Sequence, residues 1–251
     1  RRVSSKRVCV RKGNMPRKLL TAWRRWRIIT LPFVGNDIID LKDPANAKKN
    51  TDLRFLKKIL ADGEIQQVRN SSDPDRTLWS FWACKEAAFK VLQKIAGDAA
   101  FTPRRWSVSF NRDDKEDGKD EHRPRQSDPP CQGVVSIPRQ MDIPFILHTH
   151  PDFIHCIAAD THATLARSIR AVNHLSEKTG NLDDDPSAFG RLCLAKHLGD
   201  LFSGGGKVDI RRAEKNGILQ PPAAYLQGMP VKVDISLSHD GVFAAYAFVC
   251  L

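Results

Sequence analysis

Within WSFWACKEAAFK (residues 79 to 90), Glu86 and Lys90 set a carboxylate and an ammonium one helical turn apart among aromatic side chains. A solvated pair of this kind is worth only about 0.3–0.5 kcal/mol. In an active site the same two groups would stabilise charge or move a proton. Two other stretches carry residues of similar potential: Asp37 and Asp40 in GNDIID (35 to 40), and Ser238 and His239 in SLSHDG (236 to 241). Taken singly, Asp37 could cap a turn and SLSHDG could be a polar hairpin.

The elements that must hold these residues follow from periodicity and punctuation. FVGNDIIDL (33 to 41) reads as a short strand ending at a Lys-Asp-Pro turn, with Asp37 and Ile39 on one face. TDLRFLKKILADGE (51 to 64) has Leu53, Leu56 and Ile59/Leu60 at helical spacing and predicts one amphipathic helix capped by Thr51 or Asp52. SSDPDRTLWSFWACKEAAFKVLQKIAG (71 to 97) predicts a helix with Ser72 or Asp73 as cap, Pro74 in the first turn and Gly97 at the stop. Phe81, Cys84, Ala88, Leu92 and Ile95 form its core stripe. Glu86 and Lys90 fall on a neighbouring stripe with Trp79 and Trp82/Ala83, bordering apolar surface. Lys85, next to Glu86, points to a different side.

RWSVSF, GVVSI, FILHTH and FIHCIAA alternate as antiparallel strands do. The charged, Pro/Gly-containing segment 111 to 133 between the first two cannot pack a core and reads as a long mobile loop. ATLARSIRAVNHL (163 to 175) has helical spacing, and SEKTGNLDDDPS reads as a linker. From about Ser187 a helix, FGRLCLAKHLGDLF, leads into strands around KVDIRR, GILQ, VKVDISLS and VFAAYAFV. THPDFIHCIAA (149 to 159) and SHDGVFAAYAF (238 to 248) both run His, turn, apolar strand, as two copies of one unit would.

The chain has 251 residues, 41% of them hydrophobic, and a formal net charge of +11. The charge is localised: residues 1 to 34 hold eleven of the 40 Lys and Arg and no acid, leaving 29 bases against 29 acids. A neutral body gives a nucleic-acid reading little support. The basic arm with its interleaved Trp could bind RNA or anionic lipid, serve as a transit peptide, or be upstream sequence before an internal start at Met15. Six scattered cysteines without a CxxC pair argue against a zinc ribbon or disulfide scaffold and fit a reducing cytosol. No apolar run approaches membrane-spanning length, so neither a membrane nor a nucleic acid is an expected partner.

Jointly and in this order, GNDIIDL (35 to 41), RFLKKILADGE (54 to 64), WACKEAAFK (82 to 90) and DISLSHDGVFAAYAF (234 to 248) resemble the 4′-phosphopantetheinyl transferase superfamily. The resemblance covers most of residues 35 to 251. It implies transfer of the phosphopantetheine arm of coenzyme A to a serine of an apo acyl or peptidyl carrier protein, releasing 3′,5′-ADP, with Mg2+ as cofactor. It implies an α+β fold of two similar α/β halves packed as a pseudo-dimer: a first half over 35–160, a connecting helix and linker over 161–186, and a second half over 187–251. The basic arm, 1–34, is not part of the pattern.

Residue by residue, the resemblance implies Asp37 and Glu86 as metal ligands, with Asp40 as a further one. Magnesium takes one or two carboxylates, water and phosphate oxygens, which suits that set. Glu86 through a water, or a locally depressed Lys90, would serve as general base. Ser238, His239 and Lys85 would contact coenzyme A, with solvation as the plainer account of Lys85. The Ser-His element comes last, as in the small trimeric holo-acyl-carrier-protein synthases rather than the surfactin-type enzymes. The length suits a fused, monomeric, cytoplasmic version, acting in fatty-acid or secondary metabolism. The rival reading is a non-catalytic coenzyme A or carrier-protein binding module of the same fold.

Two other motifs point elsewhere. His148, His150 and His155 suggest zinc, but on an uninterrupted strand His155 would face away from the others. LFSGGGK (201 to 207) resembles a phosphate loop, yet Val208 stands where Ser or Thr is needed, so a flexible turn is expected.

Overall fold

The structure is a computed structural model that describes residues 31–97, 99–111, 129–175, 185–203, 206–215 and 217–251. The basic arm before residue 31, most of the 111–133 segment, and most of the linker after Leu175 lie outside the described residues.

The chain runs β1 (Val34–Asp40), α1 (Leu53–Ile59), α2 (Asp62–Asn70), α3 (Pro74–Ala96), β2 (Ser107–Phe110), β3 (Cys131–Ile137), β4 (Met141–Thr149) and β5 (Phe153–Ala159). These strands form an antiparallel sheet in the order β1-β5-β4-β3-β2. Then come α4 (His162–Arg167), β6 (Ile169–His174), α5 (Pro186–Ser203), β7 (Val208–Arg211), β8 (Glu214–Lys215), β9 (Ile218–Leu219), β10 (Ala223–Leu226), β11 (Met229–Pro230), β12 (Val233–Asp240) and β13 (Phe243–Cys250). A second sheet orders β12-β13-β6, and a third β11-β10-β7.

The two main sheets are stacked, with α3 on the outer face of one and α5 on the outer face of the other. Alternation on β1 shows the layering. Val34 and Ile38 pack on Ala247, Val249, Phe243 and Ala245 of the second sheet, whereas Ile39 joins the core under α3. Gly35 lets α3 lie close, because a Cβ there would run into the Ala87 carbonyl oxygen. On the far side Leu194 and Leu198 of α5 pack on Ile235, Tyr246 and Phe248.

The long helix forms as its punctuation predicts. The Asp73 carboxylate accepts from Arg76 N at 3.0 Å, Pro74 opens the first turn, and Gly97 closes it at φ 67°. Two expectations are corrected. Residues 51–64 make not one helix but two, broken at Leu60, with Asp52 capping the first through Phe55 N at 3.0 Å. Residues 163–175 are helical only to Arg167; Ile169–His174 is a strand paired along β13 from Phe248 to Phe243. Backbone pairing along β13 outweighs the helical spacing on this half-exposed edge strand, and it brings the second sheet's first strand well before Ser187.

Candidate active site

β1 is an edge strand, and α3 crosses it with Lys90 and Lys94 one turn apart. Lys90 Nζ donates to Asn36 O at 2.6 Å and to the Asp37 carboxylate at 3.0 Å. Asp37 is buried, and burial raises its pKa above the usual carboxylate range against the pull of Lys90. Glu86, one turn before Lys90, is pushed up to about 7, first by burial and then by the Asp37 charge, with Lys90 opposing. Asp37, Glu86 and Lys90 are thus one electrostatic unit.

β12 brings the other candidates. Its even-numbered side chains point at β1: the Ser236 hydroxyl accepts from Asn36 N at 3.0 Å, and the Ser238 hydroxyl from Asn36 Nδ2 at 2.8 Å. His239, on the opposite side of the strand, is exposed. Asp37, Lys90, Ser238 and His239 line one cleft of about 360 Å³. Glu86 is not on the cleft wall; it lies one turn before Lys90 on α3.

The same cleft shows cations that the motifs did not single out: Lys94, Arg191 from α5, and Arg212 after β7. Arg191 donates to Ser187 Oγ at 2.7 Å and Arg212 Nε to Gln220 O at 3.1 Å. Local sequence carries no signal for them, since each reaches the cleft only through tertiary packing.

Two expected site residues lie elsewhere. Asp40 is three residues from Asp37, so on a strand it faces the opposite way. Its carboxylate accepts Lys42 N at 2.8 Å and Val242 N at 3.1 Å, tying the turn after β1 to the β12–β13 turn. It is a backbone tether in place of a third metal ligand. Lys85 is neither solvated nor on the cleft. It is fully buried on the inner side of α3, donating to Glu64 Oε2 at 2.5 Å, Pro103 O at 2.9 Å and Ile59 O at 3.1 Å.

The histidines do not gather. A hairpin turn intervenes, so His148 and His155 are cross-strand neighbours on one face, while His150 stacks on Phe153 at 4.7 Å. Burial holds both paired imidazoles low, His148 at about 4 and His155 at about 3. Among the described residues no cluster of three or more His, Cys, Asp or Glu closes around a metal position. Asp37 and Glu86 still fit a hard divalent ion: two neighbouring carboxylates, each made reluctant to ionise, gain from a cation that neutralises both.

Against known proteins, the sequence model of the 4′-phosphopantetheinyl transferase superfamily matches residues 33–132, the stretch holding β1 and α3. The resemblance to that superfamily is thereby shown, on a segment that includes Asp37, Glu86 and Lys90 and ends before Ser238 and His239. Among individual proteins, the holo-[acyl-carrier-protein] synthases of two Leptospira biflexa serovar Patoc strains are 34% identical over 67 residues, 27% of this chain and 53% of theirs. The match therefore spans about half the length of these relatives. No solved structure matches the chain. No helix among the described residues is long and apolar enough to cross a membrane.

Proposed function

We propose that this chain transfers the 4′-phosphopantetheine arm of coenzyme A to a serine hydroxyl of an apo carrier protein and releases 3′,5′-ADP, with Mg2+ as cofactor. The observation that carries this reading is convergence. Asp37 and Lys90 from the matched segment share a cleft with Ser238 and His239, far outside it in sequence.

In this reaction the serine oxygen bonds to the phosphorus that bears the pantetheine arm. The pyrophosphate P–O bond breaks, the electron pair leaves with 3′,5′-ADP, and the hydroxyl proton goes to a base. Glu86, whose proton affinity sits at about 7, suits that base role through a water, and Lys90 is the alternative. Asp37 and Glu86 would hold the magnesium, which supplies charge to the leaving pyrophosphate oxygens. Ser238, His239, Arg191 and Arg212 offer donors to coenzyme A phosphates.

The holo-acyl-carrier-protein synthase type, in a monomeric pseudo-dimer, is the finer form of the proposal. Its support is the strand order: β5 pairs with β1 as β13 pairs with β6, each sheet joining the first and last strands of its half. Matching Phe153 to Phe243 sets Asp40 opposite one and His174 opposite the other. It also sets Ala171 where the first half has Asp37, which fits one active site per chain. In this register the counterpart of His239 is Thr149 and not His150, one residue from the alignment of the two His-turn-strand segments.

Intact-mass measurement after incubation with coenzyme A, Mg2+ and a panel of apo carriers tests the proposal. Arm transfer by the wild type and none by Glu86→Ala is expected. Coenzyme A binding without transfer to any carrier would favour the binding module, and equal transfer by Glu86→Ala would overturn the site.

A further inference from the structure

We infer that Lys94 is a positioning residue that fixes the distance between the two parts of the cleft, the Asp37–Lys90 side on β1 and α3 and the Ser238–His239 side on β12. The inference rests on the coenzyme A reading for its ligand, but its geometry stands apart from it.

An ammonium has three donors. Those of Lys94 go to Val34 O on β1 at 2.7 Å, Ile235 O on β12 at 2.7 Å and Asp234 Oδ2 on β12 at 2.8 Å. Its side chain is 5% exposed, and all three donors are engaged, so although it borders the cleft it has no N–H left for a ligand. Lys90, one turn earlier, has two such bonds and a more exposed side chain, as a ligand-contacting cation requires.

The same Asp234 oxygen also accepts Val34 N at 2.7 Å. Two residues on, Asn36 N reaches Ser236 Oγ, and at the far end Asp40 N reaches Asp240 Oδ2 at 2.8 Å. Side chains of β12 therefore cap the amides of Val34, Asn36 and Asp40 on the free edge of β1, while Lys94 and Lys90 cap the carbonyls of Val34 and Asn36. Lys94, with Asp234 as its carboxylate partner, ties the helix to both strands in this seam. Through it, a shift of α3 that moves Glu86 and Lys90 also moves β12.

The test separates position from stability. Lys94→Met leaves two carbonyls and a carboxylate buried without their donor. Adding Asp234→Asn removes the buried charge and supplies an amide that can accept from Val34 N and donate to a carbonyl. Melting temperature, the coenzyme A dissociation constant and hydrogen exchange of the Val34 and Asn36 amides would be measured for wild type, Lys94→Met, Asp234→Ala and the double variant.

The expected result is that Lys94→Met weakens coenzyme A binding by at least about tenfold, a change of about 1.4 kcal/mol. The double variant should recover most of the melting temperature without recovering affinity. Recovery of both would make Lys94 a stabilising group only and overturn the inference. Should Lys94→Met fail to fold, Asp234→Ala breaks the same junction from the β12 side. If even the wild type does not bind coenzyme A, the functional reading falls. The positioning claim is then decided by exchange, faster Val34 and Asn36 amides in the variants supporting it and unchanged ones refuting it.

Discussion

Two of the lysine–carboxylate pairs made by lysines of helix α3, Lys85–Glu64 and Lys90–Asp37, differ in how far their hydrogen bonding is completed. Lys85 spends its three donors on Glu64, Ile59 O and Pro103 O, and Glu64 in turn accepts Ala61 N at 2.8 Å and Val108 N at 3.0 Å. That knot joins α1, α2, α3 and the start of β2, and every polar group in it has its partner. At the other pair, burial raises the pKa of both Asp37 and Glu86, the Asp37 charge raises that of Glu86 further, and Lys90 opposes both shifts only in part. A completed buried network is scaffold, while two carboxylates made reluctant to ionise beside a cleft would, in the proposed reading, be completed by a cation and a phosphate-bearing ligand.

The comparison is broken most directly by activity. Glu86→Ala should lower carrier modification by about 10²–10⁴-fold, the usual range for a general acid or base, with the melting temperature held or raised. Lys85→Met should do the reverse. Removing one partner of a buried pair costs about 3–5 kcal/mol, because Glu64 is left charged and buried, yet the folded fraction should retain its specific activity. Chemical denaturation read beside intact-mass assays decides the matter. If Lys85→Met folds normally but fails to modify carriers, the two pairs have been assigned the wrong way round.

Much of this contrast could be read from the residue string, and its limits were geometric. The cap Asp73, the stop Gly97 and the shared face of Glu86 and Lys90 follow from spacing along one helix, and spacing survives folding. Asp40 was misplaced because an acid three residues from Asp37 was carried over by resemblance, whereas a strand turns it to the opposite face. Lys85 was expected near solvent or ligand because a lysine is rarely fully buried. The Glu64 that permits its burial lies 21 residues away, on a separate helix. Arg191, Arg212 and Lys94 gave no signal at all, since long-range packing alone brings them to the cleft. The β6 strand was hidden by apolar residues whose spacing fits a helix as well as a strand.

A smaller effect sharpens the contrast through pH. Glu86 has its proton affinity raised in the folded state, from 4.5 to about 7. The fold therefore binds that proton more tightly than the unfolded chain, and stability falls as pH rises from about 4.5 through 7. Glu86→Gln, which cannot ionise, should be the more stable protein above pH 7, by about 1–3 kcal/mol, and should lose that advantage below pH 4.5. Magnesium should shrink the difference by favouring the ionised carboxylate. A stability gap that stays constant across this range would show that Glu86 is not held in the strained state that separates it from Glu64.

The smallest expected effect concerns the outside of the scaffold knot. Lys85 binds the carbonyl of Ile59, the last residue of α1, and on the opposite face of that helix Arg54, Lys57 and Lys58 are exposed. A rigidly anchored basic helix suits the encounter with an acidic carrier protein, where complementary charge raises association rate more than final affinity. Lys57→Glu with Lys58→Glu should lower kcat/KM for the carrier several-fold at low salt, leave coenzyme A binding unchanged, and converge on the wild type as salt shortens the Debye length to about 3 Å at 1 M. Loss of coenzyme A binding in this variant would mean that α1 transmits charge into the cleft instead of presenting it to a partner. The separation between a satisfied scaffold and an unsatisfied site would then fail at a helix that borders both the knot and solvent.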